Sequence, residues 1–227
     1  MADAEALRHR PLLFVEDLDH PRLSDADHHH FRRVLRVEAG ADIVIGDGVG
    51  GWRPARYAPE PEPTGPIAHV ERPAAALTVA FTPVKGARAE WVVQKLTELG
   101  VDTIALVETE RSVVRWDGDR RDKQQIRLAG AAREACLQSR RLVLPTVLGP
   151  QPLAAFIDAN PAAVLADPGG RNPTAEDRVI VIGPEGGFSA QELDGRPTVR
   201  LPGHMLRAET AAIAAAGLIT AIRTGLL

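Results

Sequence analysis

The residues best able to do chemistry lie in the C-terminal part of the chain. VIVIGPEGGFSAQE, residues 179–192, runs from four apolar residues into a Gly-rich turn. In an open α/β sheet, ligands bind at the carboxyl ends of strands, where such a turn sits. Gly183, Gly186 and Gly187 permit close backbone approach, and exposed N–H groups there can hold an acceptor. The turn is neither a P-loop nor a dinucleotide fingerprint, because the Lys-Ser/Thr pair and the G-x-G-x-x-G spacing are both absent. Glu185 in its middle would also repel phosphate. The same residues serve equally as a plain strand-to-helix turn.

A second segment, LPGHMLRAETAA at 201–212, brings Arg207, Glu209 and Thr210 to the start of a helix. An acid there suits the helix dipole, which accounts for Glu209 without a ligand. A cation opposes the dipole, so Arg207 implies an external anion or a buried acid partner. In ARAEWVVQKLTELGV, 87–101, Glu90 and Gln94 share a helix face, as do Lys95 and Glu98. A solvated charged face explains that spacing too. REACLQSRR, 133–141, joins a helix end to a basic loop, and Cys136 among its apolar positions reads as an inert core thiol. The run His28–His30 is not a metal site, since consecutive residues share no helix face and no acid or Cys is suitably spaced.

The elements that must position these groups fall into two sets. Leu12–Val15, Asp42–Gly46, Trp52–Tyr57 and Ile67–Glu71 read as short strands, separated by GDGVGG at 46–51 and the Pro-rich APEPEPTGP at 58–66. With a short helix over Asp25–Arg36, they predict a small β-barrel spanning residues 1–73. The Pro-rich piece is expected as a loop within that barrel, and the boundary near Pro73–Ala76. From Leu77 strands and helices alternate: strands at Leu77–Thr82, Thr103–Val107, Ala163–Ala166, Val179–Ile182 and Val199–Leu201. Helices are expected over Arg88–Leu99, Lys123–Leu137, from the Ser189–Glu192 capping box, and over Ala208–Thr224. Residues 74–227 therefore predict an α/β domain with a mainly parallel sheet.

Composition bounds what such a protein binds. The 227 residues are 44% hydrophobic and 25% charged, as in an ordinary globular chain of one or two domains. With 5 Phe, 3 Trp and 1 Tyr, recognition by stacked rings is limited. The formal charge of −3 argues at first against an anionic partner. It is unevenly spread, however: residues 1–73 carry net −4, residues 74–145 net +3 and residues 146–227 net −2. His28–Arg36 also holds three His and three Arg with no acid. A single cysteine excludes an intrachain disulfide and fits a reducing cytosol. MADAEALRHR has no apolar core for a signal peptide, and Ala211–Ile222 is too short to span a membrane. The expectation is a cytoplasmic protein with no membrane segment.

Taken in order, RHRPLLF, HHHFRRVLRVEAGADI, KGARAEWVVQKLTELGV, ERSVVRW, EACLQSRR, VIGPEGGFS and LPGHMLRAETA resemble the SPOUT superfamily of knotted RNA methyltransferases. More closely, they resemble the family that methylates N3 of a uridine in 16S ribosomal RNA. One departure stands out. The family pattern is similar to L-G-x-R-I-L-R-x-E-T-A, and here Pro202 and His204 replace the small residue and the Arg, while Arg207, Glu209 and Thr210 fit.

The resemblance implies a PUA-like β-barrel that binds RNA, and an α/β domain whose trefoil knot binds S-adenosyl-L-methionine. It implies cofactor segments at Leu165–Asp167, Gly183–Gly187 and Leu201–Leu206. Within and beside them, Leu165, Ala166, Gly183, Glu185, Gly187, Leu201, Gly203, Leu206 and Thr210 are the expected binding residues. So few aromatics argue against a ring cage for the sulfonium and favour backbone groups. A homodimer and a 16S rRNA or small-ribosomal-subunit partner are implied, and no metal is required. Arg207 is expected to steady charge on the uracil oxygens, with Glu209 orienting it or aiding proton loss. Arg8, Arg10, Arg32, Arg33 and Arg36, joined by Arg88, Arg111 and Arg141, are expected on phosphates. The alternatives are a related enzyme acting elsewhere on RNA, such as a ribose 2′-hydroxyl, or a non-catalytic ribosome-assembly factor. A phosphate-binding nucleotide enzyme is disfavoured by the missing Lys and by Glu185.

Overall fold

The computed structural model describes residues 9–24, 28, 37–71, 76–84, 86, 88–116 and 118–227. The chain forms two compact units, Met1–Pro73 with Cys136–Leu144, and Ala74–Ala135 with Pro145–Leu227.

In the first unit β1 (Leu12–Phe14) pairs in parallel with β2 (Asp42–Gly46), which pairs antiparallel with β3 (Gly51–Arg56). The β2–β3 turn is built by Asp47, whose Oδ1 accepts from the N–H groups of Val49 at 2.8 Å and Gly51 at 2.9 Å. Two short strands, β4 (Glu62–Pro63) and β5 (Ala68–His69), both add to β3. Among the described residues the result is an open five-stranded sheet, not the closed barrel expected. The reason is local. Prolines at 59, 61, 63 and 66 remove ladder donors, so β4 and β5 stop at two residues each. The helix expected over Asp25–Arg36 lies, apart from His28, outside the described residues.

Period-two alternation buries both faces of this sheet. Leu13, Val15, Ile43, Ile45 and Tyr57 pack on one side. Leu12, Phe14, Val44 and Trp52 pack on the other, against Cys136, Leu137 and Leu142. Cys136 is a core thiol, and burial pushes its pKa up to about 11, against the pull of the Arg141 charge. At that value it is un-ionised near neutral pH and poorly nucleophilic.

The second unit is a six-stranded parallel sheet. Its strands are β6 (Thr78–Phe81), β7 (Thr103–Glu108), β8 (Thr146–Pro152), β9 (Val164–Arg171), β10 (Val179–Ile182) and β11 (Thr198–Val199). Their order across the sheet is β11-β9-β10-β6-β7-β8, with every pairing parallel. Among the described residues four helices connect them, α1 (Arg88–Glu98), α2 (Gly118–Ser139, whose last turn enters the first unit), α3 (Leu153–Ala159) and α4 (Ala190–Leu193), and α5 (Ala208–Arg223) follows β11. α1 ends as its sequence predicts. Gly100 has φ +83°, its N–H donates to Thr97, and the N–H of Val101 donates to Leu96, closing a Schellman motif.

Val79, Phe81, Ile104, Leu106, Ile180 and Ile182 bury against Val92 and Leu96 of α1 and the alanine face of α5. Their neighbours Ala80, Ala105, Val107 and Val181 pack on Phe156 and Ile157 of α3. β8 and α3 were not expected. Gly149, Pro150 and Pro152 interrupt the alternation that would have marked the strand, and that strand runs directly into the helix.

The β9–β11 pairing is irregular. Leu165 pairs with Thr198 and Arg171 with Val199, so residues 166–170 leave the ladder as a wide bulge. Its return is held by Arg171, whose two terminal nitrogens grip buried Asp177 at 2.7 and 2.6 Å. Burial alone would raise the Asp177 pKa, but bonds from Arg171 and Thr174, with the Arg171 charge, outweigh it and hold the carboxyl below its ordinary value. Gly170 sits so close to β11 that a Cβ would lie 2.6 Å from backbone atoms of Val199. We expect Gly170→Ala to lower stability by about 1–3 kcal/mol, because backbone cannot move aside as a side chain can. Chemical denaturation measures this.

Candidate active site

Three strand ends build one cavity of about 420 Å³ at the carboxyl edge of the parallel sheet. The β9 bulge contributes Ala166, Asp167 and Pro168; the turn after β10 contributes Ile182 to Gly187; and the loop after β11 contributes Arg200, Leu201 and Gly203–Leu206. Ala208 and Ala211, in the first turn of α5, complete the wall.

Each segment takes its shape from its sequence. In the bulge Asp167 Oδ1 accepts from the N–H of Gly169 at 2.8 Å, and Pro168 has no N–H to offer a ladder. In the second turn Gly187 donates to Pro184 at 2.8 Å and has φ +68°, which favours glycine. A Cβ on Gly183 would lie 3.1 Å from the Phe188 ring, which is itself buried beneath the turn. α4 then starts with the predicted capping box: Glu192 donates its N–H to Ser189 Oγ, and Ser189 donates its N–H to Glu192 Oε2. The other oxygen of Glu192 accepts from the N–H of Glu110 at 2.9 Å, and Arg111 donates to the Gly186 carbonyl at 2.7 Å. The loop after β7 is thereby tied to the turn.

Most of the expected cofactor residues converge here. Ala166, Gly183, Glu185, Gly187, Leu201, Gly203 and Leu206 all line the cavity. Leu165 is fully buried behind its wall, and Thr210 is exposed on α5 and does not line it. Pro168, Arg200, Ala208 and Ala211 were missed. The Pro-Gly-Gly run after the β9 apolar residues was the signal for the bulge.

Arg207 is the N-cap residue of α5, with an extended backbone, an exposed side chain and no side-chain cap bond. Glu209 lies in the first turn of that helix with only 9% of its side chain exposed, and its Oε1 accepts from Arg88 at 2.9 Å. Its Oε2 is buried without a hydrogen-bond partner among the described residues. Burial pushes the Glu209 pKa up, yet its own N–H, the Arg88 bond and charge, and the Arg207 charge together hold it below the ordinary value.

Three of the expected phosphate-binding arginines have partners within the protein. Arg88 is engaged by Glu209, Arg111 by Gly186, and Arg10 by Asp42 at 3.2 Å. Arg141 belongs to the first unit, and Arg8, Arg32, Arg33 and Arg36 lie outside the described residues. Among the described residues no three His, Cys, Asp or Glu gather as around a metal ion, and no helix is long and apolar enough to cross a membrane.

Residues 70–220 match the family model of the RNA methyltransferase domain, and residues 23–62 match that of the RNA methyltransferase PUA domain. The chain belongs to the RNA methyltransferase family. It is 32% identical over 220 residues to the ribosomal RNA small subunit methyltransferase E of Mycobacterium bovis, covering 84% of this chain and 82% of that one. The protein of the same name from Synechocystis is 28% identical over 225 residues, covering 88% and 72%. The crystal structure of the Neisseria gonorrhoeae enzyme bound to S-adenosyl methionine superposes with a TM-score of 0.75 at 28% identity, over 94% of this chain and 98% of that one. This methyltransferase thus shares a fold, a PUA-like module and a colinear sequence with that family.

The Arg88–Glu209 pair gives a test with a definite sign. Because the folded carboxyl titrates below its ordinary 4.5, its contribution is complete above that pH and is lost as pH falls through the lower folded value. Arg88→Ala should cost about 1–3 kcal/mol at neutral pH, where it strands a buried carboxylate. The gap from wild type should narrow in denaturation curves taken well below pH 4.5.

Proposed function

We propose that this chain transfers the methyl group of S-adenosyl-L-methionine to N3 of a uridine in 16S ribosomal RNA. The observation that carries the reading is the cavity built from three strand ends, in a chain colinear with the rRNA methyltransferases. Its volume of about 420 Å³ lies within the range of small-molecule sites. Its walls mix glycine, alanine, proline and leucine with the polar side chains of Asp167, Glu185, Arg200 and His204, a set that suits a ligand carrying charges of both signs. The fit is sound. Ala166, Gly183, Glu185, Gly187, Leu201, Gly203 and Leu206 would hold the cofactor, which when bound supplies a methyl group activated by its sulfonium.

The acceptor sets the remaining demands. Uracil N3 lies on the pairing edge, so the base must be unpaired or flipped out of its stack. N3 carries a proton, which must leave before the nitrogen is nucleophilic, and charge then spreads onto the two neighbouring carbonyl oxygens. Arg207, exposed at the mouth of α5, steadies those oxygens. Glu209 is ionised at neutral pH and sits two residues on, so it orients Arg207 or accepts the departing proton. Arg88 holds Glu209 in place and is not spent on phosphate.

The same reading carries the finer features. The loop after β11 shares one cavity with the β9 and β10 ends, and α5 packs against β6 and β10, to which the family resemblance adds a trefoil knot. The PUA-like unit would carry RNA on Arg10 and the arginines of the His28–Arg36 run, with Arg111 and Arg141 as further contacts. A homodimer working in the cytoplasm on 16S rRNA or the small ribosomal subunit completes it.

The test is a nucleoside digest of 16S rRNA treated with the enzyme and methyl-labelled cofactor. N3-methyluridine is expected; a ribose-methylated product would replace this reading with the 2′-hydroxyl one. Calorimetry showing no cofactor binding would favour the assembly-factor reading. Arg207→Ala should lower kcat by about 100-fold with cofactor affinity intact, as removal of an oxyanion donor does. Near-normal turnover in that variant would remove Arg207 from the chemistry.

A further inference from the structure

We propose that a second hollow in the methyltransferase unit, walled by Arg115, Arg120 and Arg127, seats a backbone phosphate of the substrate RNA. This inference rests on the RNA methylation reading above and names a contact which that reading does not include. The hollow holds about 510 Å³ and is separate from the cofactor cavity, with Val113, Trp116 and Gln124 among its other walls.

Its charge is concentrated. Residues 111–127 contain five Arg and one Lys against three Asp, so they account for the whole +3 excess of residues 74–145. Neighbouring cations repel one another and persist only where acids or an external anion offset them. Partners within the protein satisfy only some. Arg111 is bound to Gly186, Arg121 reaches the Pro150 carbonyl, and Arg127 pairs with Glu90 at 2.7 Å. Arg115 and Arg120 make no hydrogen bond or ion pair among the described residues, though both line the hollow. Guanidinium groups offer planar forks that match phosphate oxygens, so two uncommitted forks beside a third held in place form an anion seat.

Anchoring and position support RNA as the source of that anion. Trp116 is 5% exposed within the main core, which fixes the loop that carries Arg115. That same loop begins at β7 and holds Arg111 on Gly186, in the wall of the cofactor cavity, so it runs from one site to the other. Val113, 78% exposed at the rim, offers an apolar surface for a ribose or base. Along α2 the hollow continues into a second one, lined by Arg120, Lys123, Ile126 and Arg127 with Asp119 as its acid. An extended strand, more than a free phosphate, fits such a track.

The experiment measures binding of a single-stranded RNA carrying the target uridine to the full chain across a salt series. Arg115→Gln with Arg120→Gln should weaken binding about tenfold at low salt. It should also reduce the slope of log K against log salt by roughly 0.7 for each phosphate released. Cofactor affinity and kcat at saturating RNA should hold. The Arg115→Lys, Arg120→Lys pair should keep the slope, since a phosphate accepts an ammonium as a point charge. An unchanged affinity and slope in the glutamine pair, with cofactor binding intact, overturns the proposal. So does a lysine pair that falls as far as the glutamine pair, or a glutamine pair whose only change is its oligomeric state. If wild type binds RNA but methylates none, the proposed function fails and the slope comparison still decides the hollow. A wild type that binds no RNA overturns both.

Discussion

Parallel pairing governs this protein. Because β9, β10 and β11 all run the same way, their carboxyl ends emerge on one edge, and the loops that follow them must share one volume. An antiparallel neighbour would send one of those loops to the opposite edge. Crowding at the shared edge then selects residue types. Gly170 meets the backbone of Val199, and Gly183 meets the Phe188 ring, so side chains are excluded where chains approach most closely. What remains in the cavity is a lining of glycines and alanines interleaved with larger side chains such as Arg200, Met205 and Leu206, with no Phe, Trp or Tyr among the described lining residues.

Polar groups hold that edge together from outside. The Arg171–Asp177 fork closes the bulge, Glu192 ties the β7 loop to the capping box, and Arg111 reaches the Gly-rich turn. Arg88 and Glu209 do the same at the base of α5. All but the Arg171–Asp177 fork join groups far apart in sequence, and the arginines on Asp177 and Glu209 offset carboxylates that would be costly if buried alone. Among the described residues, Glu209 Oε2 is left buried without a hydrogen-bond partner.

Charge is organised in the same unit. The whole-chain value of −3 conceals a cationic stretch at 111–127, where Arg111 and Arg121 brace the fold. Net charge is a poor guide when acids on one segment dilute cations on another, since exposed charges farther apart than about 8–10 Å are largely screened.

The sequence by itself determined whatever depends on near neighbours along the chain. Short apolar runs marked β6, β7 and β10, Gly100 marked the end of α1, and Ser189 with Glu192 marked the start of α4, because those patterns act within a few residues. The cavity segments were legible as glycine-rich strand ends. The tertiary structure alone decided the rest. Prolines hid β8 and left the first sheet open, the return of Cys136–Leu144 to the first unit has no local signal, and the bulge at 166–170 exists only because β11 pairs at both its ends. Arg88 was expected on a phosphate and is a partner of Glu209, 121 residues away. Such pairings are set by which surfaces pack together, and no spacing along the chain encodes that distance.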